Sequence, residues 1–312
     1  MKIQNAKTFK NTSQTVVTIG TFDGVHIGHK AILDRINSTA KSKGLESLVL
    51  TFFPHPRMVL QQDSDIKLLN SLEERKQLLE ESGIDNLVVK EFTKEFSRST
   101  ALEYVRDLLV NKLRAKHVII GYDHRFGRNR NANIKDLIEF GETYGFTVEE
   151  INPQDIDEVI VSSTKIRTAL SEGDVNKANN YLGYYFMMHC KIVKGKGLGR
   201  QINFPTANLQ LIDDYKLIPS NGVYVVRAKL NENWVYGMMN IGMNPTVSDG
   251  NQRHMEVHLF DFNQDVYGEL VKIEFLTKVR EEVKFDTIDL LKKQLTADQE
   301  WSQTYLKNED FI

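Results

Sequence analysis

The chain has 312 residues, 41% hydrophobic and 26% charged, with a formal net charge of −2 and one cysteine, Cys190. Those proportions exclude a largely disordered or fibrous chain, and the length exceeds what a single core usually serves, so two domains are expected. One cysteine excludes an internal disulfide and argues against a cysteine zinc site. The near-neutral charge argues against nucleic acid as a partner, and the lack of an apolar run near the roughly 18 residues of a membrane span predicts a cytoplasmic, non-membrane protein.

In the first half, short β-branched runs alternate with amphipathic stretches, the pattern of an α/β parallel sheet. TVVTIG (15–20) predicts a strand, 29–43 a helix and SLVLTFF (47–53) a second strand. LEERKQLLEES then predicts a helix, NLVVKEF a strand, ALEYVRDLLVNKL a helix, HVIIGYD a strand, NIKDLIEFGETYG a helix and FTVEEI a strand. SSTKIRTALSEGDVNKANNYLG reads as one helical segment ending near Gly183. Beyond it the period drops to two: FMMHCKIV, GVYVVRAKL, WVYGMMNIG, MEVHLFDF and VKIEFLTKV suit half-buried antiparallel strands. The switch sets expected domains at 1–183 and 184–312, the second a small antiparallel β-barrel. A final helix over 287–306, spaced on Leu290, Leu291 and Leu295, is expected on the barrel's outside.

Three stretches carry chemistry in the first half. In GTFDGVHIGHK, beginning at Gly20, a strand runs through a glycine-containing loop into a helix whose start carries His26 and His29 around Gly28. A helix N-terminus offers unpaired N–H groups and partial positive charge, so phosphate is the natural guest. Gly24 and Gly28 permit close backbone approach, and imidazoles can donate to phosphate oxygens as charge grows in a transition state. Taken alone, the two histidines are equally ordinary helix-start residues. FFPHP (Phe53, Pro54, His55, Pro56) is a stiff extended loop after a strand. GYDHRFG, with Asp123, Arg125 and Phe126, follows another strand, so all three stretches can face one crevice at the carboxyl edge of the sheet.

In the second half, KGKGLGRQINFPTANL places Gly195, Gly197 and Gly199 at alternate positions, then Arg200 and Pro205-Thr206-x-Asn208. It is no P-loop, since neither G-K-[ST] nor a helix follows. An open glycine turn can cradle phosphate, and Thr206 and Asn208 supply neutral oxygens suited to Mg²⁺, which takes its further ligands from water and substrate phosphates. The glycines alone are equally those of a hairpin loop.

GTFDGVHIGHK resembles the H-x-G-H signature of the nucleotidyltransferase superfamily, FMN adenylyltransferases in particular, and VSSTKIRTAL resembles that superfamily's second motif. The resemblance implies ATP contacts at Gly20, Phe22, Asp23, Gly24, Gly28, Ser163 and Thr164, with His26, His29 and Arg167 acting on the triphosphate. It implies flavin contacts at Phe53, Pro54, His55, Pro56, Asp123, Arg125 and Phe126. The glycine loop with NGVYVV, MNIGMNPT and MEVHLFDF resembles the riboflavin kinase domain, which implies ATP and flavin contacts at Gly195, Gly197, Gly199, Arg200, Pro205, Thr206 and Asn208, and Glu256 as catalytic base. His124, Asn131, Asn203 and Asn244 depart from the family pattern.

Almost the full chain thus resembles the prokaryotic bifunctional riboflavin kinase/FAD synthetases. The implied chemistry is riboflavin to FMN in the second domain and FMN to FAD in the first, each with ATP and Mg²⁺. Retention of one activity only, or a non-catalytic flavin or nucleotide sensor, stays open here, as does self-association.

Overall fold

The computed structural model describes residues 1–6, 8–10, 13–61, 65–121, 124–151, 161–195, 199, 202–231, 233–243 and 253–312. They form two compact units, Met1–Ser163 and Thr164–Ile312.

The first unit holds β1 (Lys2–Asn5), β2 (Thr15–Ile19), α1 (Ile27–Lys43), β3 (Glu46–Phe53), α2 (Pro56–Leu60), α3 (Leu72–Glu81), β4 (Asn86–Glu91), α4 (Ala101–Glu103), β5 (Ala115–Gly121), α5 (Ile134–Tyr144) and β6 (Thr147–Ile151). The strands form one sheet in the order β1-β4-β3-β2-β5-β6, every neighbour parallel. β2 is buried at all its positions, as expected for a β-branched strand covered on both faces. Parallel pairing brings the carboxyl ends of β2, β3 and β5 to one edge. There the chain leaves β2 toward β3 on one side while β5 flanks the other, which is the switch point where α/β folds open a ligand crevice.

Local features of the strands and helices differ from the sequence reading. β1 was not expected: KIQN is short and mostly exposed, so it carries no alternation and exists through its ladder to β4, from Lys2 opposite Asn86 to Asn5 opposite Val89. The expected helix ALEYVRDLLVNKL is α-helical only in α4. It continues over Tyr104–Lys112 as a π-helix and closes with Leu113 N–H donating to Leu108 O at 2.8 Å.

α6 (Ser163–Glu172) leads into the second unit, which contains α7 (Val175–Leu182), β7 (Met187–Val193), β8 (Ala207–Leu211), β9 (Gly222–Leu230), β10 (Asn233–Met243), β11 (Arg253–Leu259), β12 (Leu270–Arg280) and α8 (Ile288–Asn308). The single helix expected over 162–183 is two. Gly173 at φ 81° ends α6, and Asp174 caps α7 by accepting from Lys177 N at 2.9 Å. The six strands close an antiparallel barrel in the order β10-β11-β8-β7-β12-β9. Its interior is apolar, with Val226, Met239, Val257 and Ile273 among the buried side chains.

α8 departs from the expected leucine spacing at Leu290 alone, since Leu291 is half-buried and Leu295 packs against the cluster of Val225, Met238 and Leu306. Leu290 is 51% exposed, and the buried line runs through Asp298, Ser302 and Leu306, four residues apart and so on one helical face. Polar residues occupy it because each is paired: Arg280 donates to the Asp298 carboxylate from Nε at 2.9 Å and Nη2 at 2.7 Å, and the Ser302 hydroxyl donates to Asp298 O at 2.6 Å.

Candidate active sites

β2 turns into α1 through a strained loop. Phe22 and Val25 hold φ of 47° and 33°, and Gly24 holds 93°. Left-handed geometry is costly for a β-branched side chain, so other contacts must impose it. They do: Val25 is fully buried, its N–H donates to Phe22 O at 3.2 Å, and the Asp23 carboxylate accepts from Leu69 N at 3.2 Å and Asn70 N at 3.1 Å. Ser163, the last residue of the first unit, donates its hydroxyl to Asp23 O at 2.8 Å.

The loop delivers His26 as the N-cap of α1, its Nδ1 accepting from His29 N at 3.4 Å. An accepting Nδ1 leaves the proton of the neutral ring on Nε2. The two imidazoles stack with centroids 3.7 Å apart and planes 17° apart, and Phe22 abuts His29 at 5.0 Å. A Cβ on Gly28 would stand 3.3 Å from the His26 ring, so the glycine leaves that ring its place. Burial pushes His26 down to about 4, against the opposing pull of Asp23. Burial, the neighbouring His26 and the Arg75 charge hold His29 well below the usual histidine range. Both rings are therefore neutral donors at pH 7. His29 Nδ1 is buried without a hydrogen-bond partner, a state that a polar ligand atom would relieve.

At the end of β3, His55 caps α2 by accepting from Arg57 N at 3.2 Å, so the expected extended loop turns helical at Pro56. At the end of β5, Phe126 is 4% exposed and packs on Tyr104 at 5.3 Å, while Arg125 is exposed. Phe126 thus anchors the segment from inside the core and leaves Arg125 to meet solvent or ligand.

On the barrel, β11 alternates. Met255, Val257 and Leu259 point inward, and His254, Glu256 and His258 share the other face. Glu256 stands opposite Asn240 on β10 and Asn208 on β8. The Thr206 hydroxyl donates to its Oε2 at 3.4 Å, and His254 Nε2 lies 2.5 Å from its Oε1. The hydrogen bond to His254 lowers the Glu256 pKa, burial opposes it, and Thr206 and Asn208 add smaller bonds. The segment before β8 lies along the same face, since His258 Nδ1 bonds Pro205 O at 2.8 Å and Phe204 packs edge-on to the His258 ring at 5.4 Å. A Cβ on Gly195 would overlap the Asn208 amide, and one on Gly199 would overlap Phe204 O.

A family model described as FAD synthetase matches residues 8–165, and one described as riboflavin kinase matches residues 182–306. The bifunctional riboflavin kinase/FMN adenylyltransferase of Listeria monocytogenes is 36% identical over 291 residues, spanning 93% of this chain and 92% of its own. The chain belongs to the bifunctional riboflavin kinase/FMN adenylyltransferase family. The Bacillus subtilis member is 35% identical over 301 residues, covering 95% of this chain and 94% of its own. A crystal structure described as a macrolide-efflux protein from Streptococcus pneumoniae superposes with a TM-score of 0.89 at 31% identity, covering 97% of this chain and 99% of that one. The fold agrees with the family throughout. The efflux description belongs to that protein, and among the described residues here no helix is long and apolar enough to cross a membrane.

Within the kinase/adenylyltransferase chain, the residues expected from the sequence distribute as follows. The carboxyl edge of the first unit's sheet carries Gly20, Phe22, Asp23, Gly24, His26, Gly28 and His29 after β2, Phe53 at the end of β3 with Pro54, His55 and Pro56 beyond it, and Arg125 and Phe126 after β5. Thr164 and Arg167 follow Ser163 along α6. Gly195, Gly199, Pro205, Thr206, Asn208 and Glu256 belong to the barrel unit. Asp123, Gly197, Arg200 and Asn244 lie outside the described residues.

Sequence reasoning missed two side chains. Arg75 is completely buried, donating from Nη1 to Thr21 O at 2.8 Å, Thr51 Oγ1 at 3.2 Å and Phe52 O at 3.3 Å. Its spacing with Leu72, Leu78 and Leu79 on one face of α3 was the available signal. His254 was visible as the same-face neighbour of Glu256 two residues away.

Proposed function

We propose that the barrel unit phosphorylates riboflavin with ATP to give FMN, and that the sheet unit joins FMN to the AMP portion of a second ATP, releasing pyrophosphate. We place the boundary between the activities at 183/184, supported by the riboflavin kinase match beginning at residue 182. The observation that carries the kinase reading is Glu256, a carboxylate kept ionised and flanked by Thr206 and Asn208 beside a glycine turn that tolerates no side chain.

In the kinase step the terminal ribityl hydroxyl attacks the γ-phosphorus of ATP, its proton passes to Glu256, and ADP leaves. Thr206 and the Asn208 amide oxygen fit a Mg²⁺ site. They are neutral oxygens at a phosphate turn, and among the described residues no cluster of three acidic, histidine or cysteine side chains competes for the ion. Bound there, Mg²⁺ supplies positive charge to the phosphates.

In the adenylyl step a phosphate oxygen of FMN attacks the α-phosphorus of ATP. Neutral His26 and His29 donate to the phosphate oxygens as negative charge shifts toward pyrophosphate, while Ser163, Thr164 and Arg167 grip the triphosphate. Gly20, Phe22, Asp23, Gly24 and Gly28 shape the ATP side, and Phe53, Pro54, His55, Pro56, Arg125 and Phe126 shape the flavin side. Neither step needs a covalent enzyme intermediate.

The test is to incubate the full chain with riboflavin, ATP and Mg²⁺, under air and under reducing conditions, and to separate the flavins by chromatography. FMN and FAD are both expected. FMN without FAD overturns the adenylyl assignment, and no FMN overturns the kinase assignment.

A further inference from the structure

We propose that His254 is a positioning residue for riboflavin phosphorylation: its imidazole holds the Glu256 carboxylate in the orientation that accepts the hydroxyl proton. The inference rests on Glu256 being the base.

The argument begins with strand geometry. Residues two apart on a strand share a face, so His254 and Glu256 on β11 are neighbours, and Nε2 of His254 reaches Oε1 of Glu256 at 2.5 Å. Both side chains are about one-third exposed, 35% and 33%. A glutamate at that exposure has several accessible rotamers unless something fixes it. The Thr206 bond is a weak guide, since its hydroxyl reaches Oε2 only at 3.4 Å.

β8 supplies little more support. Its ladder to β11 consists of two pairs, Glu256 opposite Asn208 and Val257 opposite Ala207, so it ends at Glu256 itself. Beyond that point His254 pairs only with β10, opposite Gly242. That glycine brings no side chain, and a Cβ there would overlap the Glu282 carboxylate. Among the described residues, the charged groups near His254 include Glu256 on its own strand, Glu282 over Gly242, and Arg253. The Arg253 guanidinium is turned away to Ile218 O at 2.9 Å and Pro219 O at 2.7 Å. With Oε1 held by His254, Oε2 is left toward Thr206 and the glycine turn, where the reacting hydroxyl must come.

The test uses the full chain with His254→Ala and His254→Gln, the second keeping an N–H donor. Riboflavin phosphorylation is measured as kcat and KM, with FAD formation from supplied FMN and a thermal melt as controls. For His254→Ala, kcat is expected to fall on the order of 10- to 100-fold, the cost of a misaligned reacting group, with KM for riboflavin within about twofold. His254→Gln is expected to recover most of the loss, and FAD formation to stay at the parent rate. Unchanged kcat in His254→Ala, equal losses in both variants, or a rise in KM alone would each overturn the proposal. A melt lowered equally in both variants with equal loss of kcat would make His254 merely structural, which also overturns it. Glu256→Gln run beside them separates the two readings: if it retains kinase activity, the base assignment fails and the positioning role with it, whereas loss of activity in Glu256→Gln beside unchanged kcat in His254→Ala overturns the positioning role alone.

Discussion

His26 and His29 stack at 3.7 Å between ring centroids, a separation at which two imidazolium charges would repel strongly, so burial and mutual proximity keep the pair neutral. For His26 the folded pKa, about 4, lies below the unfolded value of 6.5. A group depressed in this way favours the fold above its unfolded pKa, because the unfolded chain binds the proton more readily. Its stabilisation is whole above pH 6.5 and is lost as pH falls toward about 4. The loss should reach ~2–3 kcal/mol. Urea denaturation at pH 7 and pH 4.5 checks it, and His26→Asn should flatten the difference.

Division of labour is tested by two substitutions. Glu256→Gln should abolish FMN formation from riboflavin and leave FAD formation from supplied FMN. His29→Ala should do the reverse, with adenylylation down on the order of 100-fold, the usual cost of one transition-state donor. Equal loss of both activities in either variant would contradict the assignment.

Gly199→Ala places a methyl group on the Phe204 carbonyl oxygen. That carbonyl is backbone and cannot swing aside, so the turn must shift by the size of the clash. Kinase kcat/KM should fall at least about tenfold through misplacement of the segment leading to Thr206. The second activity, measured from FMN, should be unchanged.

Arg75 joins α3 to the ends of β2 and β3 through Thr21 O, Thr51 Oγ1 and Phe52 O. Arg75→Met leaves those buried acceptors short of a donor, which should cost ~3 kcal/mol and lower adenylylation. Arg75→Lys should recover part of the stability, since one ammonium reproduces the charge but not the fork. Denaturation midpoints with FAD formation from FMN distinguish the two losses.

Most strands were readable because each has its own signature: β2 is β-branched at every position between covered faces, and β9 alternates from Val226 to Leu230 on the barrel wall. β1 was not, since its existence depends on β4, some eighty residues further along the chain. In α8, Leu291 and Leu295 pointed to the packed side, but nothing in the sequence marked Asp298, which the Arg280 fork draws inward. In the sites, glycine and histidine spacing pointed to the loops, yet it could not reveal that the Asp23 carboxylate is turned to Leu69 and Asn70. Asn203, a departure from the family's glycine, sits at φ 63°, a left-handed position that asparagine adopts more readily than most residues. The departure therefore keeps a left-handed backbone at position 203.

The two-pair join between β8 and β11 has a consequence for how the barrel breathes. A closed ladder parts first where it has fewest rungs, and here that seam carries Glu256 and Asn208. Amides flanking it should exchange with solvent ahead of those in the long β9–β10 ladder. Substrates spanning the seam would stitch it shut, so occupancy should register as slowed exchange along β8 and β11 while the far wall stays unchanged.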